Sequence, residues 1–247
     1  MILAIDCGNT RVKWGVTMGP SLLEPGSTLR WIETGSAPIA ELAGMGERWS
    51  RLPAPDVIAV SNVAGTAARK FLELALRAYD IQPLWVTAQA RQCGVTSSYA
   101  DPGRLGADRW AALIGARHLH AGDCLVVNAG TATTIDLLSG IGVFLGGVIL
   151  PGMELMKWAL AEKTAGLASA PGEFAEQPRT TADAIETGCI LAQTGAIERL
   201  FSRLASGALC LLSGGAAASL AHRVNVPLRV VENLALEGLA RIAAERA

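Results

Sequence analysis

Two stretches of this sequence decide its fold: LAIDCGNTRVKWGV at residues 3–16 and LVVNAGTATTIDLL at residues 125–138. Each begins with an apolar strand, continues with a polar residue, a small residue and a glycine, and ends with a returning strand. A shift of 122 residues places Asp6 on Asn128 and Gly8 on Gly130. The sequence therefore predicts two related hairpins and, around them, two related domains.

Strand and helix patterns alternate along the rest of the chain, which predicts an α/β protein. A helix expected over residues 105–118 ends shortly before the second hairpin, so we place the domain boundary near residue 119. The expected domains are residues 1–119, which carry the first hairpin, and residues 120–247, which carry the second. A closing helix, expected over residues 233–244, would belong to the second domain.

The composition of the chain excludes several classes of protein. Its 247 residues have 21 Lys and Arg against 22 Asp and Glu, so it lacks the positive charge that nucleic-acid binding needs. The content of 51% hydrophobic and 17% charged residues is typical of a folded chain. The five cysteines are scattered, and the first residues, which reach Asp6 without a basic segment, do not have the pattern of a signal peptide. These two features predict a reduced cytoplasmic protein. The most apolar run, residues 141–150, is too short to cross a membrane and predicts a buried strand.

The first turn, residues 6–13 with the sequence DCGNTRVK, has the composition of a phosphate-binding site. It offers a carboxylate at a strand end, a glycine that a ligand can approach, short polar side chains and a lysine. The same residues also fit a simple hairpin in which Asp6 and Asn9 hydrogen-bond their own backbone. The second polar turn, at residues 130–134, favours nucleotide phosphates held by both turns.

A Pro/Gly loop runs into a helix at residues 99–109, YADPGRLGADR. Asp108 falls in the first helical turn, where the positive end of the helix keeps a carboxylate ionised and able to accept a proton. Arg109 has the planar guanidinium that suits a substrate carboxylate. Alternatively, Asp108 only stabilises its own helix and Arg109 lies on a solvated face.

Seven motifs, in order along nearly the whole chain, resemble those of the type III pantothenate kinase family. They are Asp6-Cys7-Gly8-Asn9-Thr10 with Lys13, Tyr99 with Pro102, Gly106-Ala107-Asp108-Arg109, Gly130-Thr131-Ala132, Leu145-Gly146-Gly147 with Pro151-Gly152, Thr181 with Gly188, and Ser213-Gly214-Gly215. The resemblance implies two ribonuclease-H-like domains of the actin-like/Hsp70-like ATPase (ASKHA) superfamily and a homodimer. It also implies ATP-dependent phosphorylation of pantothenate to 4′-phosphopantothenate, the first step of coenzyme A biosynthesis.

The resemblance also implies roles for individual residues. The residues it implies for ATP binding are Asp6, Cys7, Gly8, Asn9, Thr10, Arg11, Val12, Lys13, Gly130 and Thr131. Asp6 would in addition orient Mg²⁺. The residues it implies for pantothenate binding are Tyr99, Gly106, Ala107, Asp108, Arg109 and Thr181, with Asp108 as the proton acceptor.

One residue departs from the family pattern. Asn128 stands where the family has a carboxylate that ligates a monovalent metal or ammonium ion, K⁺ or NH₄⁺. An amide oxygen can coordinate a cation but brings no negative charge, so we expect weaker cation binding. Asp136 could supply the charge if its side chain points back to the turn.

Two other functions are compatible with parts of the pattern. One is a sugar kinase or exopolyphosphatase of the same superfamily, although the cysteine-rich zinc motif of some such sugar kinases is absent from this sequence. The other is a nucleotide-binding regulator without turnover. The presence of both Asp6 and Asp108 favours an enzyme over a regulator.

Overall fold

A computed structural model describes residues 1–19, 26–164 and 170–246 of the chain. The strands are β1 (Ile2–Cys7), β2 (Arg11–Thr17), β3 (Trp31–Pro38), β4 (Val57–Asn62), β5 (Leu84–Trp85), β6 (Arg91–Gln92), β7 (Val95–Ser97), β8 (Cys124–Ala129), β9 (Ala132–Leu138), β10 (Val143–Pro151), β11 (Leu209–Ser213) and β12 (Leu228–Val230). The helices are α1 (Met45–Trp49), α2 (Gly65–Leu76), α3 (Ala107–Leu119), α4 (Met153–Lys163), α5 (Thr181–Phe201), α6 (Ala217–Ala221) and α7 (Leu234–Ala244). The mixture of strands and helices confirms the α/β class.

The chain folds into two compact units that are not simply its first and second halves. The first unit consists of Met1–Ala121, Leu138–Gly146 and Asn233–Ala247, and the second of Gly122–Leu137 and Gly147–Glu232. Helix α7 therefore packs in the first unit, although the sequence places it in the expected second domain. The domains expected at residues 1–119 and 120–247 stay a prediction.

A five-stranded sheet in the order β3-β2-β1-β4-β5 forms the centre of the first unit. Strand β1 pairs antiparallel with β2 and parallel with β4. Because β1 and β4 are parallel, their carboxyl ends lie at the same edge, with Asp6 in register with Ser61. One face of the sheet packs into an apolar core that includes Trp14, Trp49 and Leu72.

Helices α3 and α7 of the first unit pack closely because each has a glycine where the two meet. A Cβ atom at Gly238 would lie 1.7 Å from the carbonyl oxygen of Ala111, and one at Gly115 would lie 2.6 Å from that of Leu234. No side chain fits at either position without displacing backbone. The glycines therefore fix where α7 lies on α3, the helix that carries Asp108.

The second unit contains neighbouring strands in the order β12-β11-β8-β9, followed by the carboxyl half of β10. Strand β11 runs parallel to both β8 and β12. In this register Ser213 lies beside Asn128, just as Ser61 lies beside Asp6 in the first unit. Helices α4, α5 and α6 accompany the sheet, and their apolar side chains join its core.

The repeat predicted from the two hairpins is confirmed in the first strand of each hairpin. The start of the second strand differs by one residue between the two hairpins. Strands β1 and β8 have six residues each, and only the fifth, Asp6 or Asn128, is partly exposed. Three residues separate β1 from β2, whereas only Gly130 and Thr131 separate β8 from β9. The shorter second turn moves its returning strand one residue forward in the alignment.

Strand β10 corrects one expectation, because the run predicted to be a buried strand is a strand but not a buried one. The exposed fractions of Leu145, Val148 and Ile149 are 55%, 37% and 62%. An apolar run alone does not reveal whether the chain itself covers it. No helix in the described ranges has both the length and the apolar character needed to cross a bilayer.

Candidate active site

Asp6 lies at the carboxyl end of β1 among polar partners from three elements. Its Oδ1 accepts a hydrogen bond of 2.6 Å from the hydroxyl of Ser61, and Lys13 pairs with it across the hairpin. Burial raises the pKa of Asp6 from 3.8 to about 6, the Ser61 bond lowers it, the negative charge of Asp108 raises it and Lys13 lowers it. Asp6 and Asp108, distant in sequence, therefore belong to one electrostatic environment.

The turn after Asp6 exposes three polar side chains at its tip. The backbone N–H of Gly8 donates to the carbonyl oxygen of Arg11 at 3.0 Å, which closes the turn. Asn9, Thr10 and Arg11 are exposed at its tip. The Nε atom of Arg11 donates to Ser36 Oγ at 2.8 Å, so the side chain is anchored to β3.

Two of the expected ATP-binding residues contribute no side chain to the turn. The side chains of Cys7 and Val12 are 0% exposed and belong to the core of the first unit. Burial, followed by the charge of Asp6, raises the pKa of the Cys7 thiol to about 11, so the thiol stays protonated. Only backbone atoms of these two residues could contact a nucleotide.

Asp108 lies in the first turn of α3, and its carboxylate folds back over the start of the helix. Its Oδ1 accepts a hydrogen bond of 2.8 Å from the backbone N–H of Arg109. A Cβ atom at Gly106 would lie 2.6 Å from this oxygen, which explains why the residue before the helix is a glycine. Asp108 Oδ2 has no hydrogen-bond partner within the described residues, so it remains available to accept a proton.

Arg109 is brought together with Tyr99, as the expected substrate site requires. The side chain of Arg109 is mostly buried, and its Nη1 atom lies 3.4 Å from the hydroxyl of Tyr99. Phe144 packs beneath both: its ring centroid lies 5.3 Å from that of Tyr99 and 5.9 Å from the guanidinium carbon of Arg109. The cluster orients the guanidinium of Arg109, the residue that follows Asp108 in α3.

The second turn, Gly130-Thr131, is shaped by a close approach of backbone in the second unit. The N–H of Gly130 donates to the carbonyl oxygen of Ala132 at 3.1 Å, and that of Gly152 donates to the carbonyl oxygen of Thr131 at 2.9 Å. A Cβ atom at Gly152 would lie 2.1 Å from the carbonyl oxygen of Gly130. The Pro-Gly pair before α4 therefore fixes the turn, and Thr131 is exposed on it.

The expected cation ligand Asn128 is partly exposed at the end of β8. Asp136, the alternative source of negative charge, is only 1% exposed within β9. Within the described part of the chain, no group of three or more His, Cys, Asp or Glu side chains could hold a metal ion. Asn128 itself would offer a monovalent cation only a neutral amide oxygen.

Thr181, the remaining expected substrate residue, is the exposed first residue of α5. The hydroxyl of Thr180 caps this helix by accepting a 3.1 Å hydrogen bond from the N–H of Asp183. Thr181, Asn128, Gly130 and Thr131 belong to the second unit. The other expected site residues belong to the first unit, and the roles of both sets stay predictions.

Two residues of the site were not expected from the sequence, Ser61 and Phe144. A signal for Ser61 was present, because a polar residue at the carboxyl end of a strand parallel to β1 must lie near Asp6. Phe144 gave no such signal. It reaches Tyr99 and Arg109 because β10 pairs with β7, a non-local arrangement.

Solved structures of other proteins share the α/β fold of this chain. A glucokinase from an Antarctic psychrotroph matches with a TM-score of 0.54 and 12% identity, covering 99% of this chain and 98% of that one. A conserved Baf family protein from Campylobacter jejuni matches with a TM-score of 0.63 and 20% identity, covering 99% and 98% of the two chains. The fold thus defines the class as an α/β protein of two compact units.

Sequence comparison identifies the family of this chain. The model of the family described as type III pantothenate kinase matches residues 2–203. The type III pantothenate kinase of Aromatoleum aromaticum is 49% identical over 249 residues, covering 100% of this chain and 99% of that protein. The chain belongs to the type III pantothenate kinase family.

Proposed function

We propose that this chain transfers the γ-phosphoryl group of ATP to the hydroxyl of pantothenate, giving 4′-phosphopantothenate for coenzyme A biosynthesis. This is the reaction of its family. The observation that carries the proposal is the shared electrostatic environment of Asp6 and Asp108, beside the cluster of Arg109 and Tyr99. A kinase needs one carboxylate near the phosphates of ATP and another near the substrate hydroxyl that accepts the phosphoryl group.

Asp108 is the proton acceptor in this proposal. Its Oδ1 is held by the N–H of Arg109, which fixes the carboxylate and leaves Oδ2 to face the substrate hydroxyl. General-base assistance of this kind contributes typically about 10²–10⁴-fold to a rate.

Arg109 binds the carboxylate of pantothenate. Its guanidinium is already oriented by the Tyr99 hydroxyl and the Phe144 ring, so little side-chain freedom is lost on binding. A charge-assisted hydrogen bond at a mostly buried guanidinium is stronger than one at the surface. Thr181 is a further contact in this proposal.

The turn of residues 8–11 and Lys13 bind the ATP phosphates, and Gly130 and Thr131 contribute a second set of phosphate contacts. Family membership implies a divalent cation with ATP. The oxygen ligands of Asp6 suit Mg²⁺, and its raised pKa marks a carboxylate that a cation would stabilise in the ionised form. Bound Mg²⁺ supplies neutralisation of charge on the phosphoryl oxygens.

The reaction is tested by measuring ATP consumption by the purified protein with and without pantothenate. We expect turnover only with pantothenate, and none with glucose, N-acetylmannosamine or polyphosphate. Turnover on a sugar would favour a sugar kinase, and ATP binding without turnover on any acceptor would favour a regulator. Either result would overturn the proposal.

A monovalent cation at the end of β8 is part of the proposal, held by Asn128 with other neutral oxygen atoms. Because the amide brings no charge, binding is weaker than at the carboxylate of the family pattern. Half-activation by K⁺ or NH₄⁺ is therefore expected at high concentration.

A homodimer is the last part of the proposal, supported by apolar surface on the second unit. Its exposed large side chains include Val148, Ile149, Leu155, Trp158 and Leu191. Exposed apolar groups of this number favour burial against another chain. We expect light scattering to give a dimer and Trp158→Glu to give a monomer, with Phe71→Glu, exposed on the first unit, as the control. A monomeric wild-type protein would contradict this assignment.

A further inference from the structure

A cavity of about 550 Å³ lies in the first unit, at the opposite edge of the sheet from Asp6. Val57, which lines it, begins β4 and pairs with Ile2, whereas Ser61 on the same strand pairs with Asp6. Four residues of extended strand separate the two places by about 13 Å. The volume is within the usual range of small-molecule sites, and the cavity is separate from the candidate active site.

Gln92 gives this cavity a hydrogen-bond donor that no described residue uses. The side chain is 9% exposed and lines the cavity, and its Oε1 accepts a 3.0 Å hydrogen bond from the indole Nε1 of Trp110. An indole N–H can only donate, so the oxygen must face Trp110 and the amide nitrogen must point elsewhere. That nitrogen has no partner within the described residues and keeps contact with solvent, so it can donate to a ligand in the cavity.

The charge of the lining favours an anionic ligand. Arg246 is the one charged residue among the lining side chains, and none of them is acidic. The nearby carboxylate of Glu245 is instead engaged by the backbone N–H and thiol of Cys93. The guanidinium of Arg246 has no ion pair among residues 1–19, 26–164 and 170–246.

The remaining lining is largely apolar and includes the flat indole of Trp85 together with Leu84 and Ile242. From these features we propose that the cavity binds a small organic carboxylate with a flat apolar body. Its carboxylate accepts hydrogen bonds from Arg246 and from the amide nitrogen of Gln92, and its body packs on Trp85. A phosphate dianion fits less well, because a single guanidinium would have to compensate both charges.

The same hydrogen bond couples the cavity to the proposed active site. Trp110 is fully buried and follows Arg109 in α3, and its backbone N–H donates to the carbonyl oxygen of Gly106 at 2.9 Å. A ligand that accepts a hydrogen bond from the Gln92 amide therefore acts, through the Trp110 indole, on the helical turn that carries Asp108 and Arg109. The cavity is thus an effector site. This role is additional to the kinase activity proposed above.

Binding is tested with cinnamate and with its neutral amide analogue, cinnamamide. The NMR signals of the Gln92 amide and the Trp110 indole report binding. For a ligand of this size we expect cinnamate to bind with a Kd on the order of 1 mM and cinnamamide to bind about tenfold more weakly. Both signals should shift, and saturating ATP and pantothenate should not displace the ligand. Absence of these shifts, or equal binding of the two compounds, would overturn the proposal.

Two variants separate the proposed contacts from general charge effects. Arg246→Gln should weaken cinnamate binding about tenfold, whereas Arg77→Gln, the same change at an exposed position outside the cavity, should not. Gln92→Glu keeps an oxygen for Trp110 but replaces the donor, so it should weaken binding at least as much while the fold is retained. Equal effects of the two arginine variants would refute the carboxylate contact.

Coupling is tested by the KM for pantothenate with and without saturating cinnamate. We expect a change of at least about twofold in the wild type and a smaller change in Arg246→Gln at the same cinnamate concentration. An unchanged KM in the wild type would overturn the effector role. The binding measurement needs no turnover, so a protein that binds cinnamate but has no kinase activity would disprove the proposed reaction and not the site.

Discussion

The Asp6 carboxylate should make the free protein less stable at neutral pH, so we expect Asp6→Asn to stabilise it. Burial is the main reason that the pKa of Asp6 is raised from 3.8 to about 6. The folded protein therefore holds this proton more tightly than the unfolded chain, and ionisation favours unfolding. A rise of this size costs about 3 kcal/mol above pH 7, and the cost disappears as the pH falls towards 4.

Asparagine is a matched replacement because its Oδ1 can still accept the 2.6 Å hydrogen bond from Ser61. The assay is urea unfolding of both proteins in EDTA at pH 8 and at pH 4.5. We expect the variant to be more stable by about 3 kcal/mol at pH 8 and by only about 1 kcal/mol at pH 4.5. Asp80→Asn, the same charge change at an exposed position, should show no such difference.

Two results would refute this reasoning about Asp6. One is a stability gain that is the same at both pH values, because the gain would then not come from ionisation. The other is a gain no larger than that of Asp80→Asn. The same carboxylate should favour nucleotide binding, so Mg²⁺ with ATP should raise the Tm of the wild type more than that of Asp6→Asn.

Three further substitutions test other parts of the structure. Asp108→Asn should lower kcat by about 10²–10⁴-fold with little change in ATP affinity, and undiminished turnover in a steady-state assay would exclude its role as the base. Asn128→Asp should shift half-activation by K⁺ to a roughly ten- to a hundredfold lower concentration at fixed ionic strength, and an unchanged curve would place the cation elsewhere. Gly238→Ala should lower the free energy of unfolding by more than about 2 kcal/mol, because its Cβ would lie 1.7 Å from Ala111, whereas Gly188→Ala, with open space around it, should not.

The sequence predicted the parts of the fold that repeat and the parts that are strongly apolar. Strands β1 and β8 could be aligned because burial of the first four residues in each requires the same apolar pattern. Strand β3 was not predicted, because only one of its eight residues is buried and it is defined by pairing with β2. The exposure of β10 was also not predictable, since it depends on what the rest of the chain covers.

The candidate site was predicted where its residues are close in sequence. Asp6 with Lys13, and Asp108 with Arg109, come from single motifs whose local structure brings each pair together. Ser61 depends on the parallel pairing of two strands that are 55 residues apart at this point. The interaction between Asp6 and Asp108 likewise depends on tertiary packing, which a motif does not contain.

The two equivalent strand ends differ by one charge, and this difference has a consequence for metal binding. Asp6 and Asn128 occupy the same position of matching strands, each beside a serine of a parallel neighbour. Ionised Asp6 is disfavoured by burial and by Asp108, so a divalent cation there removes an existing electrostatic cost. Neutral Asn128 brings no such cost, so a cation gains only coordination by neutral oxygen atoms. If the proposed function is right, we therefore expect a divalent cation to bind more strongly at the first strand end than a monovalent cation binds at the second.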